Sequence, residues 1–141
     1  MLTLDKPFSL KGSQPSVGNL PVGVICLLNT HTIVVVESPF GSKDEWVREV
    51  NKAYCRAALR WCLLNGIVPL ASHLLYTQML DDQIPEERTL GIEAGLTVNK
   101  AGAKATLVFV DRGVSGGMEL GIKRSLEEGR PVHALNLPGW A

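Results

Sequence analysis

The run from Thr32 to Glu37 (TIVVVE) constrains the fold more than any other stretch, because five β-branched residues follow one another without alternation. A strand with one face in water alternates apolar and polar side chains. A continuous run predicts a strand covered on both faces, as in a parallel sheet between two layers of helices. It is read as the central strand. Ser38-Pro39-Phe40-Gly41 breaks it, and Ser42 with Glu45 predicts a Ser-x-x-Glu capping box at the start of a helix. Trp46, Val47, Val50, Ala53, Tyr54, Ala57, Ala58, Trp61 and Cys62 then recur at three-and-four spacing, which gives the helix one buried face. Asn65-Gly66 ends it.

The same alternation continues. Ile67 to Ala71 is a second strand, followed by a loop dense in polar groups: Ser72, His73, Tyr76, Thr77, Asp81 and Asp82. Pro85 with Glu86 and Glu87 opens a helix expected to reach about Asn99, since proline suits the first turn and acids suit the positive end of the helix dipole. Ala105 to Val110 is another continuous apolar strand. Asp111-Arg112-Gly113-Val114-Ser115-Gly116-Gly117 leads into a helix ending at Gly129, and Pro131 to Leu135 is the last strand. Strand and helix in alternation predict an α/β fold, a Rossmann-like open and mostly parallel sheet of about five strands with helices on both faces. The fifth strand is Val22 to Leu28, expected at an edge. Residues 1–21, with Pro7, Gly12, Pro15, Gly18 and Pro21, are read as an irregular arm and residues 22–141 as a single domain.

Acids and bases balance at 14 each, so the basic field that holds a nucleic-acid polymer or an acidic membrane surface is missing. A small molecule and further copies of the same chain are the expected partners. The apolar run around Val22 is too short to span a bilayer and has no signal-peptide flanks, so a cytoplasmic protein is expected. Cys26, Cys55 and Cys62 lack metal-ligand spacing and read as reduced core thiols. No cofactor or metal is called for. Trp46 and Trp61 are placed in the core, and Trp140 at a subunit interface.

In open parallel sheets ligands sit outside the carboxyl ends of the strands, where the strand order reverses. Three segments should therefore converge: Ser38 to Ser42, Ser72 to Asp82, and Asp111 to Glu119. Gly116 and Gly117 let a ligand approach the backbone at a helix start, whose free N–H groups suit an anion; on this stretch alone an ordinary glycine-rich strand-to-helix turn is the favoured reading. Glu119 falls in the first turn, where the helix dipole favours a carboxylate.

Gly117-Met118-Glu119-Leu120-Gly121 resembles the segment around the nucleophilic glutamate of nucleoside 2-deoxyribosyltransferases. The first unit, with Asn51-Lys52-Ala53-Tyr54 in its helix, resembles the opening of those enzymes. Ser72 through Arg88, with His73-Leu74-Leu75-Tyr76-Thr77 and Glu87-Arg88-x-x-Gly91, resembles a short uncharacterised branch of the superfamily found in phages and bacteria. The likeness spans roughly Ile33 to Leu135. It implies cleavage of the N-glycosidic bond of a nucleoside or nucleoside 5'-monophosphate, Glu119 attacking the anomeric carbon to leave a sugar ester. A second acid then assists the departing base. Glu93 is first choice by its distance before Glu119, Asp111 is the rival, and Asp81 and Asp82 follow. By the same resemblance Ser38, Pro39, Phe40, His73, Tyr76, Arg88, Ser115, Gly116, Gly117 and Met118 form the substrate-binding set. His73 contacts base or phosphate or is a structural hydrogen-bonder; Arg88 pairs with a phosphate or with Glu86, Glu87 or Asp82. Two departures tilt the expectation from transfer toward hydrolysis, or toward a non-catalytic nucleotide-binding module. The family's first-strand tyrosine is valine here, near Val34 and Val35, with Tyr76 a possible substitute, and the chain stops at Ala141 without the tail that completes a neighbour's pocket.

Overall fold

A computed structural model describes residues 19–140. Residues 1–18 of the expected arm lie outside that range. Four parallel strands form the sheet in the order β2-β1-β3-β4, where β1 is Ile33–Glu37, β2 Val68–Leu70, β3 Ala105–Phe109 and β4 Val132–Leu135. The β-branched run thus supplies a central strand, and it lies between β2 and β3. Five short or long helices accompany the strands: α1 (Val22–Ile25), α2 (Glu45–Leu64), α3 (Ser72–Leu75), α4 (Pro85–Gly102) and α5 (Gly116–Glu127). A 3-10 turn, Tyr76–Gln78, follows α3 directly.

The expected edge strand from Val22 to Leu28 is instead α1 and the turns after it. Backbone bonds run from Ile25 N to Pro21 O and from Cys26 N to Val22 O. The run is one helical turn deep in pattern: Val24 is fully buried, and Ile25, Leu27 and Leu28 pack on the same core. A short apolar stretch carries no period long enough to tell strand from helix. Asn29 N and His31 N then bond to Asn65 O and Gly66 O, fixing this segment at the amino ends of the strands.

The chain leaves β1 for β2 on one side and reaches β3 on the other, so right-handed crossovers put α2 on one face and α4 and α5 on the opposite face. On the α2 face Val34, Val36, Leu107, Phe109 and Leu135 meet Tyr54, Ala58, Trp61 and Cys62. Trp61 and Phe109 touch edge to face with ring centroids 6.1 Å apart. Trp46, in the first turn of α2, is 75% exposed, contrary to expectation. The helix begins with Asp44 rather than Ser42 as its cap: the Asp44 carboxylate accepts from Trp46 N (2.8 Å) and Val47 N (3.3 Å), while Ser42 Oγ accepts from Asp44 N. Aspartate immediately before the helix reaches the free N–H groups that a serine two residues earlier does not.

Cys55 and Cys62 are buried thiols, but Cys26 is exposed, because only one face of the turn after α1 meets the core. Trp140 docks on its own domain. It lies 4.9 Å from the Tyr54 ring, edge to face, and is half-buried there. No helix among the described residues is long and apolar enough to cross a membrane.

Candidate functional site

One stripe on α2 ties together all the segments at the carboxyl ends of the strands. Asn51, Tyr54 and Cys55 stand at i, i+3 and i+4, neighbours on one helix face. Asn51 donates Nδ2 to Phe40 O (3.2 Å) and accepts Arg112 Nε at Oδ1 (2.9 Å), so it joins the loop after β1 to the loop after β3. Tyr54 donates its hydroxyl to Asp111 Oδ2 (2.6 Å) and accepts the Asp111 backbone N–H (3.0 Å). The same Oδ2 accepts Leu137 N at 2.7 Å, which brings in the segment after β4. Burial and the adjacent Asp111 carboxylate push the Tyr54 hydroxyl upward, so it remains a proton donor.

Cys55 reaches the loop after β2. Its Sγ lies 3.4 Å from His73 Nε2, and the same nitrogen shares a 3.0 Å hydrogen bond with Ser38 Oγ. Phe40 stands edge-on to the imidazole, centroids 5.7 Å apart. Burial lowers the His73 pKa to about 4, so the ring is neutral at physiological pH. Burial likewise raises the Cys55 thiol, with the Ser38 hydrogen bond opposing. A neutral thiol beside a neutral imidazole is a poor nucleophile pair. This cluster holds loops together.

α5 begins where the β3 loop ends. Ser115 caps it, Oγ accepting from Met118 N at 3.3 Å, and Met118 is buried beneath the helix. Gly116, Gly117 and Glu119 are exposed in the first turn. Two residues after Glu119, Gly121 faces the sheet, and a Cβ there would overlap the carboxyl of Glu37. Glu37 is the last residue of β1, opposite Val108 in register, and points to the α5 side. Burial raises its pKa to about 7, with Arg130 opposing. Nothing in the sequence patterning singles out Glu37; only the distant Gly121 gives a hint that something occupies the space below α5.

The structure therefore brings Ser38, Phe40, His73, Asp111 and Arg112 together through α2, with Ser115 to Glu119 on the same carboxyl end of the sheet. Pro39 is buried beside Ser38. Asp111 is exposed, and its Oδ2 ties the loops together by accepting from Tyr54 and Leu137. Tyr76 is half-buried in the 3-10 turn. Arg88 is exposed and forms no ion pair with Glu86, Glu87 or Asp82; Glu87 Oε1 instead accepts Asp81 N at 3.1 Å. Glu93 is exposed in the middle of α4, about 12 Å along the helix from its start at 1.5 Å per residue. An apolar cavity of about 270 Å³ opens beside β2, lined by Pro69, Leu70, Leu74 and Val98; neither Glu37 nor Glu119 borders it. Among the described residues no cluster of three His, Cys, Asp or Glu side chains is arranged to hold a metal ion.

A doubly wound parallel sheet with its polar loops gathered at the strand ends defines a Rossmann-like α/β domain. Residues 32–135 match the model of the family described as a domain of unknown function, DUF7768, and the chain belongs to that family. The fold is similar to that of the 2-deoxyribosyltransferase from the psychrotolerant bacterium Bacillus psychrosaccharolyticus. The TM-score is 0.55 at 18% identity, over 78% of this chain and 76% of that one. No curated protein matches the sequence.

Proposed function

We propose that the protein cleaves the N-glycosidic bond of a nucleoside or nucleoside 5'-monophosphate, with Glu119 as nucleophile. The observation that carries this reading is the convergence at one end of the sheet. The loops after β1, β2 and β3 are bonded to a single stripe of α2, and α5 starts there with Glu119 exposed in its first turn. The Gly-Met-Glu-Leu-Gly segment and the shared fold support it further. Gly116 and Gly117 leave the helix start open to a phosphate or a sugar hydroxyl. Glu119 attacks the anomeric carbon, the base leaves with the bonding pair, and water resolves the ester.

The test is release of free base from 2'-deoxyadenosine, adenosine and their 5'-monophosphates, with inosine, guanosine and pyrimidine counterparts, by native protein and Glu119→Gln. Native protein is expected to release base from at least one. The variant is expected to fall about a thousandfold or more while still binding that substrate. Unchanged cleavage by Glu119→Gln removes the nucleophile assignment. Binding of a nucleotide without cleavage by native protein replaces the enzyme by a nucleotide-binding module.

A further inference from the structure

A base that departs from a sugar carries away an electron pair and needs a proton, so the site requires an acid still protonated at working pH. Asp111 is committed elsewhere: its Oδ2 already accepts from the Tyr54 hydroxyl and the Leu137 N–H. Glu93 stands in mid-helix, away from the strand ends. Glu37 meets it by position. It closes the central strand at the point where the chain order reverses between β1 and β3, the crevice in which ligands of open parallel sheets bind. Its carboxyl fills the space that Gly121 leaves beneath α5, two residues along that helix from Glu119. It accepts no hydrogen bond from any described residue.

We propose that Glu37 is the general acid of the reaction, delivering its proton to a ring nitrogen of the departing base. The inference rests on the glycosidase reading above. As the Glu119 carboxylate oxygen bonds to the anomeric carbon, the carbon–nitrogen bond breaks toward the base, and the Glu37 O–H proton moves to that nitrogen. Glu37 is left as a carboxylate. It then takes a proton from the water that attacks the sugar ester, which frees Glu119 and restores the acid.

The surroundings of Glu37 fit this cycle. Burial raises its pKa to about 7, so a large share of the acid still carries its proton at neutral pH. Arg130, in the turn before β4, pulls in the opposite direction and stabilises the carboxylate that remains after transfer. α5 turns Gly121 rather than a charged side chain toward it. Across the sheet Cys55 feels the Glu37 charge but stays a neutral thiol.

The experiment compares Glu37→Gln with native protein on two kinds of substrate. The nucleosides and nucleotides above carry bases that leave poorly. The 4-nitrophenyl glycosides of 2-deoxyribose and ribose carry a leaving group that needs no proton. Glu37→Gln is expected to lose about a hundredfold or more on the nucleosides and less than about tenfold on the nitrophenyl glycosides, while Glu119→Gln loses both. Native protein adds a readout that no variant can disturb: its rate on nucleosides falls as pH rises through about 7, and the nitrophenyl rate lacks that limb. Equal losses by Glu37→Gln on the two kinds of substrate, or no loss on nucleosides, overturn the assignment. A native profile with the same basic limb on both also overturns it. If Glu119→Gln abolishes turnover and Glu37→Gln does not affect it, this inference alone fails. If native protein cleaves none of the compounds, the glycosidase reading fails with it.

Discussion

The two faces of the sheet are built from different chemistry. Against α2 the interior is hydrocarbon and rings, with Val34, Val36, Leu107 and Phe109 meeting Ala58, Trp61 and Cys62. Against α4 and α5 it is half polar. Thr106 Oγ1 and Ser125 Oγ lie 2.8 Å apart, and buried Arg130 reaches both, at 3.1 and 3.3 Å, as well as Asn99 O and Glu128. Burying such groups is tolerable only when each finds partners. Arg130 does; Glu37, half-buried at the end of β1, accepts no hydrogen bond from a described residue. The α2 face therefore holds the domain together, while the opposite face spends some stability to keep a charge network and one half-buried acid next to it.

Breaking the apolar face should cost most. Trp61→Ala is expected to destabilise by about 3–5 kcal/mol through lost burial and the cavity left behind, read by urea unfolding. A cost under about 1 kcal/mol would mean that the α2 face is not the principal core. Next comes Arg130→Met. It leaves Glu128, Ser125 and Thr106 short of a partner and is expected to cost about 3 kcal/mol. The same substitution should move the basic limb of the native rate to higher pH, since Arg130 is the charge that lowers Glu37. A neutral or stabilising result would show that the polar side behaves like an ordinary core.

The smallest effect sharpens the contrast by pH. Glu37 has its folded pKa raised to about 7, so its proton is held more tightly folded than unfolded. Its contribution is whole below the unfolded carboxylate value and declines as pH rises toward 7. His73, with its folded pKa lowered to about 4, acts in the other sense: stability grows from about pH 4 and is complete above the unfolded histidine value. Between roughly pH 4.5 and 6.5 the two slopes oppose each other at about 1.4 kcal/mol per unit. Native stability should be nearly flat there. Glu37→Gln should uncover a rise with pH, and His73→Asn a fall. A native curve that already slopes, and that Glu37→Gln leaves unaltered, would show that Glu37 is not held protonated by the fold.

Local pattern was enough for the strands and for most of α2, because continuous β-branched runs and three-and-four spacing are themselves the causes of burial. Trp46 escaped that logic. It fits the stripe, but it lies in the first turn of α2, beyond the strand ends, where there is no sheet to cover it. The run around Val22 was too short to carry a period, and it folded as a turn of helix. Within the site, the resemblance around Glu119 was legible as a motif, and His73 and Ser38 were legible as polar residues at strand ends. Their bonding to each other was not, since 35 residues separate them. Tyr54 and Asp111 are 57 apart; a core tyrosine shows no sign in sequence of which carboxylate it will meet. Glu37 was hidden for the same reason. A polar residue ending a strand looks like a terminator until α5 is folded over it.

The stripe of Asn51, Tyr54 and Cys55 has a dynamic consequence. Loops anchored separately would fluctuate separately, each with its own opening free energy. Here the segments after β1, β2, β3 and β4 share one helical mooring. A slip of α2 by part of a turn would release Phe40, His73, Asp111 and Leu137 in one event, so amide exchange in these four segments should rise and fall in step as a single cooperative unit. The mouth of the site would then have two states, moored and unmoored, with few intermediates between them.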